Sequence, residues 1–265
     1  MTLRGFQLQV EQIVASVLGP KGFALGGGQA LQVHGLVDRE SKDLDHYVAT
    51  MDEDLFRRAE IDLVRALNAV GLNAEPVARD SWFRQIIITD PHTKDTISID
   101  LGYDYRKHPP VVVQGVGPVL DIQDVVIGKV RALTDRQTER DYIDIDAILS
   151  SGRWTVHDLW TELHLIRPEW TIERFAATLR AAQEGDPDEY AALGMTREHV
   201  TEMSNRLCAF AGMLQTPRPT AGASPAIRDS LSSLSSATRC DLCGRPLRSP
   251  ESIARGRGPG CAKKR

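Results

Sequence analysis

Three carboxylates have types and spacing that could do chemistry. Asp43 and Asp45 stand two apart, at the start of a run over 44–49 that reads as a strand. Strand side chains alternate, so both acids face one side. A second strand is predicted over 96–103. Ile97, Ile99, Leu101 and Tyr103 take one face there, and Ser98 and Asp100 take the other. If the two strands are neighbours, Asp43, Asp45 and Asp100 converge. Three carboxylates on a rigid sheet can hold two Mg²⁺ or Mn²⁺ ions about 3.5–4 Å apart, an arrangement that clamps the attacking and leaving oxygens in phosphoryl transfer.

A glycine run supplies the second part. Gly26, Gly27 and Gly28 follow a short apolar strand over 22–26 and precede a helix that begins near Gln29. Glycines let a backbone approach a ligand closely, and a helix N-terminus favours an anion. A lone D-x-D is common on solvated loops, and a lone triple glycine is usually a turn. Together, at this spacing, they describe a site for nucleotidyl transfer from an NTP. Neither a G-x-G-x-x-G fingerprint nor a Walker A motif accompanies the glycines, which argues against those nucleotide folds.

The elements that must position these residues read as mixed α/β followed by helices. Residues 5–18 carry Phe6, Val10, Ile13, Val14 and Val17 at helical spacing. Thr50 to Glu53 reads as a capping box, with the stripe Leu55, Ala59, Leu63, Ala66 and Val70 behind it and Gly71 as terminator. Strands are predicted over 82–89, 96–103 and 110–114. Helices are predicted over 121–135, 138–150, 155–165, 170–183 and 196–213. Trp154, Trp160 and Trp170 read as core, Cys208 as a buried small residue, and Asp141 as a helix N-terminal charge. His157, His164 and His199 show no metal spacing.

Composition and charge bound the rest. The chain has 265 residues, 42% hydrophobic and 26% charged, an ordinary globular balance. No window has about 18 consecutive apolar residues, and the N-terminus lacks the unbroken apolar stretch of a signal peptide. A cytoplasmic protein without a membrane span is expected. Residues 1–212 carry a net charge of −11 and residues 213–265 one of +7, so a basic tail follows an acidic body and suits a polyanion. Residues 214–238 are rich in Ser, Pro, Thr, Ala and Gly and read as a flexible linker. Four parts are expected: an α/β core over 1–120, helices over 121–213, the linker, and a small module over 239–265.

Gly27-Gly28-Gln-Ala-Leu31, Arg39-x-Ser41-x-Asp43-Leu-Asp45, Lys129-x-x-Ala-Leu133 and Arg140-Asp-x-x-Asp144 resemble the AbiEii/AbiGii-type nucleotidyltransferase toxins of the DNA polymerase β-like superfamily. The resemblance covers about residues 20–150 and continues through the helices to about 212. It implies a nucleotidyltransferase fold with a mixed sheet. By resemblance Asp43, Asp45 and Asp100 bind metal, and Lys129 reaches the triphosphate, although the pattern alone would read a surface lysine. Asp144 is either a buried carboxylate paired with Arg140 or Arg131 or, by resemblance, a site residue that orients Lys129. Gly27, Gly28, Arg39 and Ser41 are implied at the phosphates. Gln29 stands where the family usually has Thr or Ser and could still contact a phosphate. His46 stands where an apolar or aromatic residue is usual, on the face opposite the carboxylates.

The last module carries Cys240, Cys243 and Cys261, spaced C-x2-C-x17-C. The first pair is a zinc-knuckle half-site, and three cysteines leave a fourth Zn²⁺ ligand to Asp241, the terminal carboxylate or a group elsewhere. The other reading is a basic tail with incidental thiols. The family implies a toxin of a toxin–antitoxin pair, acting on RNA such as tRNA and partnered by a winged-helix antitoxin. Two alternatives stand beside it: transfer to a small hydroxylated molecule such as an antibiotic, and an inactive nucleic-acid- or protein-binding module.

Overall fold

The computed structural model describes residues 5–39, 41 and 43–214. Helix α1 (Gly5–Leu18) leads through a 3₁₀ turn to the short strand β1 (Ala24–Leu25) and helix α2 (Gly27–Val33). Strand β2 (Asp43–Val48), helix α3 (Glu53–Ala69) and strands β3 (Asn73–Asp80), β4 (Phe83–Thr89), β5 (Thr96–Tyr103), β6 (Val111–Val113) and β7 (Gly117–Val119) follow. Six helices complete the described chain: α4 (Ile122–Arg136), α5 (Glu139–Ser150), α6 (Val156–Ile166), α7 (Ile172–Arg180), α8 (Pro187–Ala192) and α9 (Arg197–Met213).

The strands form one mixed sheet of seven, ordered β3-β4-β5-β2-β1-β7-β6. β2 lies at its centre, antiparallel to β1 and parallel to β5. Period-2 alternation decides the faces. Leu44, His46 and Val48 of β2, Ile97, Ile99 and Leu101 of β5, and Ile86 and Ile88 of β4 are buried. With them the core takes Val10, Val14 and Leu18 of α1 and Phe56, Ala59, Leu63 and Leu67 of α3. Each buried Val, Leu, Ile or Phe among them contributes about 1.5–3 kcal/mol relative to remaining exposed. The other sheet face carries Asp43, Asp45 and Asp100 and stays open beside α4.

The helical half is held by caps as well as packing. Thr138 with Asp141, and Thr155 with Asp158, form reciprocal capping boxes at α5 and α6. Asp121, Thr171 and Thr196 cap α4, α7 and α9. Trp154 and Trp170 are buried. Trp160 is partly buried and stacks on Phe175.

Several local expectations need correction. The cap of α3 is Asp52, which accepts from Leu55 N at 3.1 Å, not Thr50. Its buried stripe is accordingly rotated to Phe56, Ala59, Leu63 and Leu67, and Val70 is exposed. Helix α2 starts two residues before Gln29. The helix expected over 170–183 ends at Arg180 and continues as a 3₁₀ turn. Strand β3 is not predicted by the sequence pattern, because Pro76 and a bulge between Pro76 and Ala78 interrupt its alternation, which an edge strand tolerates. β7 and α8 are too short to show a period. Cys208 is only partly buried. Among the described residues, no helix is long and apolar enough to cross a membrane. Cys240, Cys243, Cys261 and the linker from 215 on lie outside the described residues.

Candidate active site

The parallel register of β2 and β5 sets Asp43 opposite Ser98 and Asp45 opposite Asp100. All three carboxylates line one cleft of about 370 Å³, between the open sheet face and α4. Their environments differ. Burial pushes the Asp45 carboxyl above the usual carboxylate range, and the Lys129 charge opposes this. Burial also raises Asp100, opposed by hydrogen bonds from Gln85. Gln85 Nε2 and Ser98 Oγ both donate to Asp100 Oδ1, at 3.0 and 3.2 Å. Asp43 is more exposed, and its Oδ2 faces Arg140 Nη1 at 3.4 Å.

The glycine turn stands against these acids. Gly26 N donates to the Asp45 carbonyl at 2.7 Å, which fixes the turn to β2. Gly27 has φ +60°, and a Cβ placed there would sit 1.8 Å from Asp45 Oδ2. A Cβ on Gly28 would approach Ser41 Oγ at 3.0 Å and Arg39 Nη2 at 3.2 Å. The Gly27→Ala variant is therefore expected to lose roughly 1–2 kcal/mol from backbone strain alone. It should also push the Asp45 carboxylate aside and slow transfer by on the order of 10²-fold. A thermal melt and a rate assay on the same sample check both, and a wild-type rate would refute the contact's importance.

Asp144 on α5 is fully buried and gathers two cations. Lys129 Nζ lies 2.9 Å from Asp144 Oδ2. Arg39 donates through Nε to Oδ1 at 2.8 Å and through Nη2 to Oδ2 at 2.7 Å. Both cations are nearly buried themselves, and both line the cleft. The arginines weighed for Asp144 go elsewhere: Arg140 to Asp43, and Arg131 to Asp104. Asp141 is more than a helix-end charge. It is fully buried, caps α5, and takes a two-pronged contact from Arg136. Although burial pushes its carboxyl up, Arg136 and Thr138 hold it below the usual range.

The structure thus brings Gly27, Gly28, Arg39, Ser41, Asp43, Asp45, Asp100 and Lys129 to one cleft, with Asp144 directly behind. Gln29 is the exception. It points into the protein and donates to the Ser41 carbonyl at 2.7 Å, alongside Gln7 at the same distance. It braces the Arg39–Asp43 loop from behind. His46 faces Glu11 across the buried side, at 3.2 Å. Sequence reasoning missed Gln85, Tyr47, Arg136 and Arg140 as neighbours of the acids. Gln85 carried a signal: the alternation of 82–89, paired through a short turn with 96–103, sets it beside Asp100.

Among the described residues, no three His, Cys, Asp or Glu side chains close around one point. The donor set nevertheless fits a hard divalent cation. It is all carboxylate oxygen, one member is desolvated, and its wall at Gly27 is a cradle that a Cβ would fill.

Residues 12–232 match the family described as nucleotidyl transferase AbiEii toxin of a type IV toxin–antitoxin system. Residues 237–265 match a family of unknown function (DUF6011). No curated protein matches the chain. Among solved structures it is similar to a nucleotidyltransferase toxin, MenT4, from Mycobacterium tuberculosis, with TM-score 0.52 and 15% identity over 80% of this chain and 84% of that one. It is also similar to a putative nucleotidyltransferase from Helicobacter pylori, with TM-score 0.51 and 16% identity over 78% of this chain and 92% of that one. With the carboxylate sheet and glycine turn in place, this chain belongs to the AbiEii nucleotidyltransferase toxin family and is a nucleotidyltransferase.

Proposed function

We propose that the protein transfers a nucleotide from an NTP to a hydroxyl of an RNA acceptor such as tRNA, with release of pyrophosphate. In this reading it acts in the cytoplasm as the toxin of a pair whose antitoxin is a winged-helix protein. One observation carries the reading. Asp45 and Asp100 stand in register on parallel strands, and Asp43, the glycine turn and a Lys129 fixed by Asp144 share their cleft.

Asp43, Asp45 and Asp100 would hold Mg²⁺ or Mn²⁺, which when bound neutralises phosphate charge and polarises the α-phosphate. Gly27 and Gly28 leave the wall beside the acids without side chains, so a triphosphate fits there. Lys129 presents its ammonium to the triphosphate from a fixed position, because Asp144 holds it. Asp100 keeps Oδ1 on Gln85 and Ser98. In this reading its other oxygen completes the metal site and helps accept the proton of the acceptor hydroxyl. Arg39 and Ser41 form the rim toward the phosphates.

Incubation with each labelled NTP, Mg²⁺ and total bacterial RNA tests the proposal. Label entering RNA for one NTP supports it. Label appearing only in a small molecule favours the alternative acceptor, and no label with any acceptor defeats the enzymatic assignment to RNA.

The basic segment after the body is proposed to add RNA affinity, with Cys240, Cys243 and Cys261 holding Zn²⁺. Truncation after Met213 should leave NTP binding intact and weaken RNA binding. The lost part should be salt-dependent, with the log–log slope falling by about 0.7 for each phosphate contact removed. Filter binding across a salt series measures it. An unchanged RNA affinity refutes the role, and absence of stoichiometric zinc in the full chain refutes the metal.

A further inference from the structure

The cations of the cleft are anchored very differently. Lys129 and Arg39 share the fully buried Asp144, and Arg136 is gripped by the fully buried Asp141. Such pairs do not come apart without stranding a buried charge. Arg140 differs. Its ion pair with Asp43 is long, at 3.4 Å, and both side chains are more than a third exposed, so solvent screens it and its loss costs little. Arg140 also sits in the first turn of α5, where a cation opposes the helix dipole. Its carboxylate partner is one of the three acids proposed to hold metal.

We propose that Arg140 exchanges partners during substrate loading. In the free enzyme it neutralises Asp43. When a divalent cation takes Asp43, the guanidinium is released into the same cleft and takes up the triphosphate. This rests on the assignment of Asp43 as a metal ligand. Its consequence is a linkage: metal strengthens triphosphate binding through Arg140 as well as through its own charge.

The experiment uses inorganic triphosphate, the part common to every NTP, titrated by calorimetry with EDTA present. Asp43→Asn frees Arg140 without metal, so triphosphate should bind this variant about tenfold more tightly than wild type. That gain should vanish when Asp43→Asn is combined with Arg140→Gln. Arg140→Gln is chosen because the side chain is partly exposed and its replacement leaves no buried charge. A gain that persists in the double variant overturns the exchange, since removal of a repelling carboxylate is then the whole effect; no gain at all overturns it as well, since the freed Arg140 then does not take up triphosphate. Mn²⁺ binding without nucleotide, read by electron paramagnetic resonance, separates this from the underlying reading. Asp43→Asn should lose it. Retained Mn²⁺ affinity defeats the assignment of Asp43 itself.

Discussion

Asp45→Asn is expected to abolish nucleotide transfer, by at least roughly 10³-fold, in a protein that melts no lower than wild type. The two halves of this result have one cause. Asp45 is a carboxylate kept in a desolvated place beside Gly27, where burial penalises its charge. Asn has nearly the same shape and no charge to bury, so the fold loses nothing. The reaction loses an anionic oxygen where phosphate charge must be balanced. The measurement is a melt paired with NTP turnover. A variant retaining more than about a tenth of the wild-type rate sinks the role of Asp45. A large drop in melting temperature would instead mark the residue as structural.

Asp144→Ala should produce the opposite pattern, a loss of both stability and activity. It strands Lys129 and Arg39, each nearly buried, without their shared anion. Breaking a buried pair from one side costs about 3–5 kcal/mol, which for a body of this size lowers the melting temperature by roughly 6–20 °C. Adding Lys129→Met and Arg39→Met to Asp144→Ala should recover much of the stability, because an apolar replacement of the whole group leaves no stranded charge. It should recover none of the activity. If the triple variant regains turnover, Lys129 is not the triphosphate contact. If the single variant melts like wild type, the triad is not a buried ion pair in solution.

The legible parts of this protein were those with a short period. Alternation along 44–49 and 96–103 was enough to set Asp43, Asp45 and Asp100 on the open face, because a strand leaves no other choice. The glycine run was legible because only glycine fits against a carboxylate at a left-handed φ. Pairings between distant residues were not legible. Nothing local says that β2 and β5 run parallel with Asp45 opposite Asp100, or that Asp144 meets Arg39. Lys129 looked like a surface lysine because helix periodicity shows which face turns inward, not that a buried acid waits there. Gln29 stood in the right motif but on the inward side of α2, where its amide serves the Ser41 carbonyl instead of a ligand. β3 escaped because an edge strand needs neither unbroken alternation nor a free N–H at Pro76.

The reach of the Asp144 contact also bears on synthesis of the chain. Arg39 and Asp144 are 105 residues apart, so a ribosome adding ~5–20 residues per second needs roughly 5–20 s between them. Until α5 has emerged, Arg39 and Lys129 lack the buried Asp144 that they share, and the cleft lacks the wall that α5 supplies. A nascent chain holding both of the first carboxylates therefore does not yet hold the completed cleft. The fold itself thus sets an interval during synthesis between the appearance of the first carboxylates and the completion of the site.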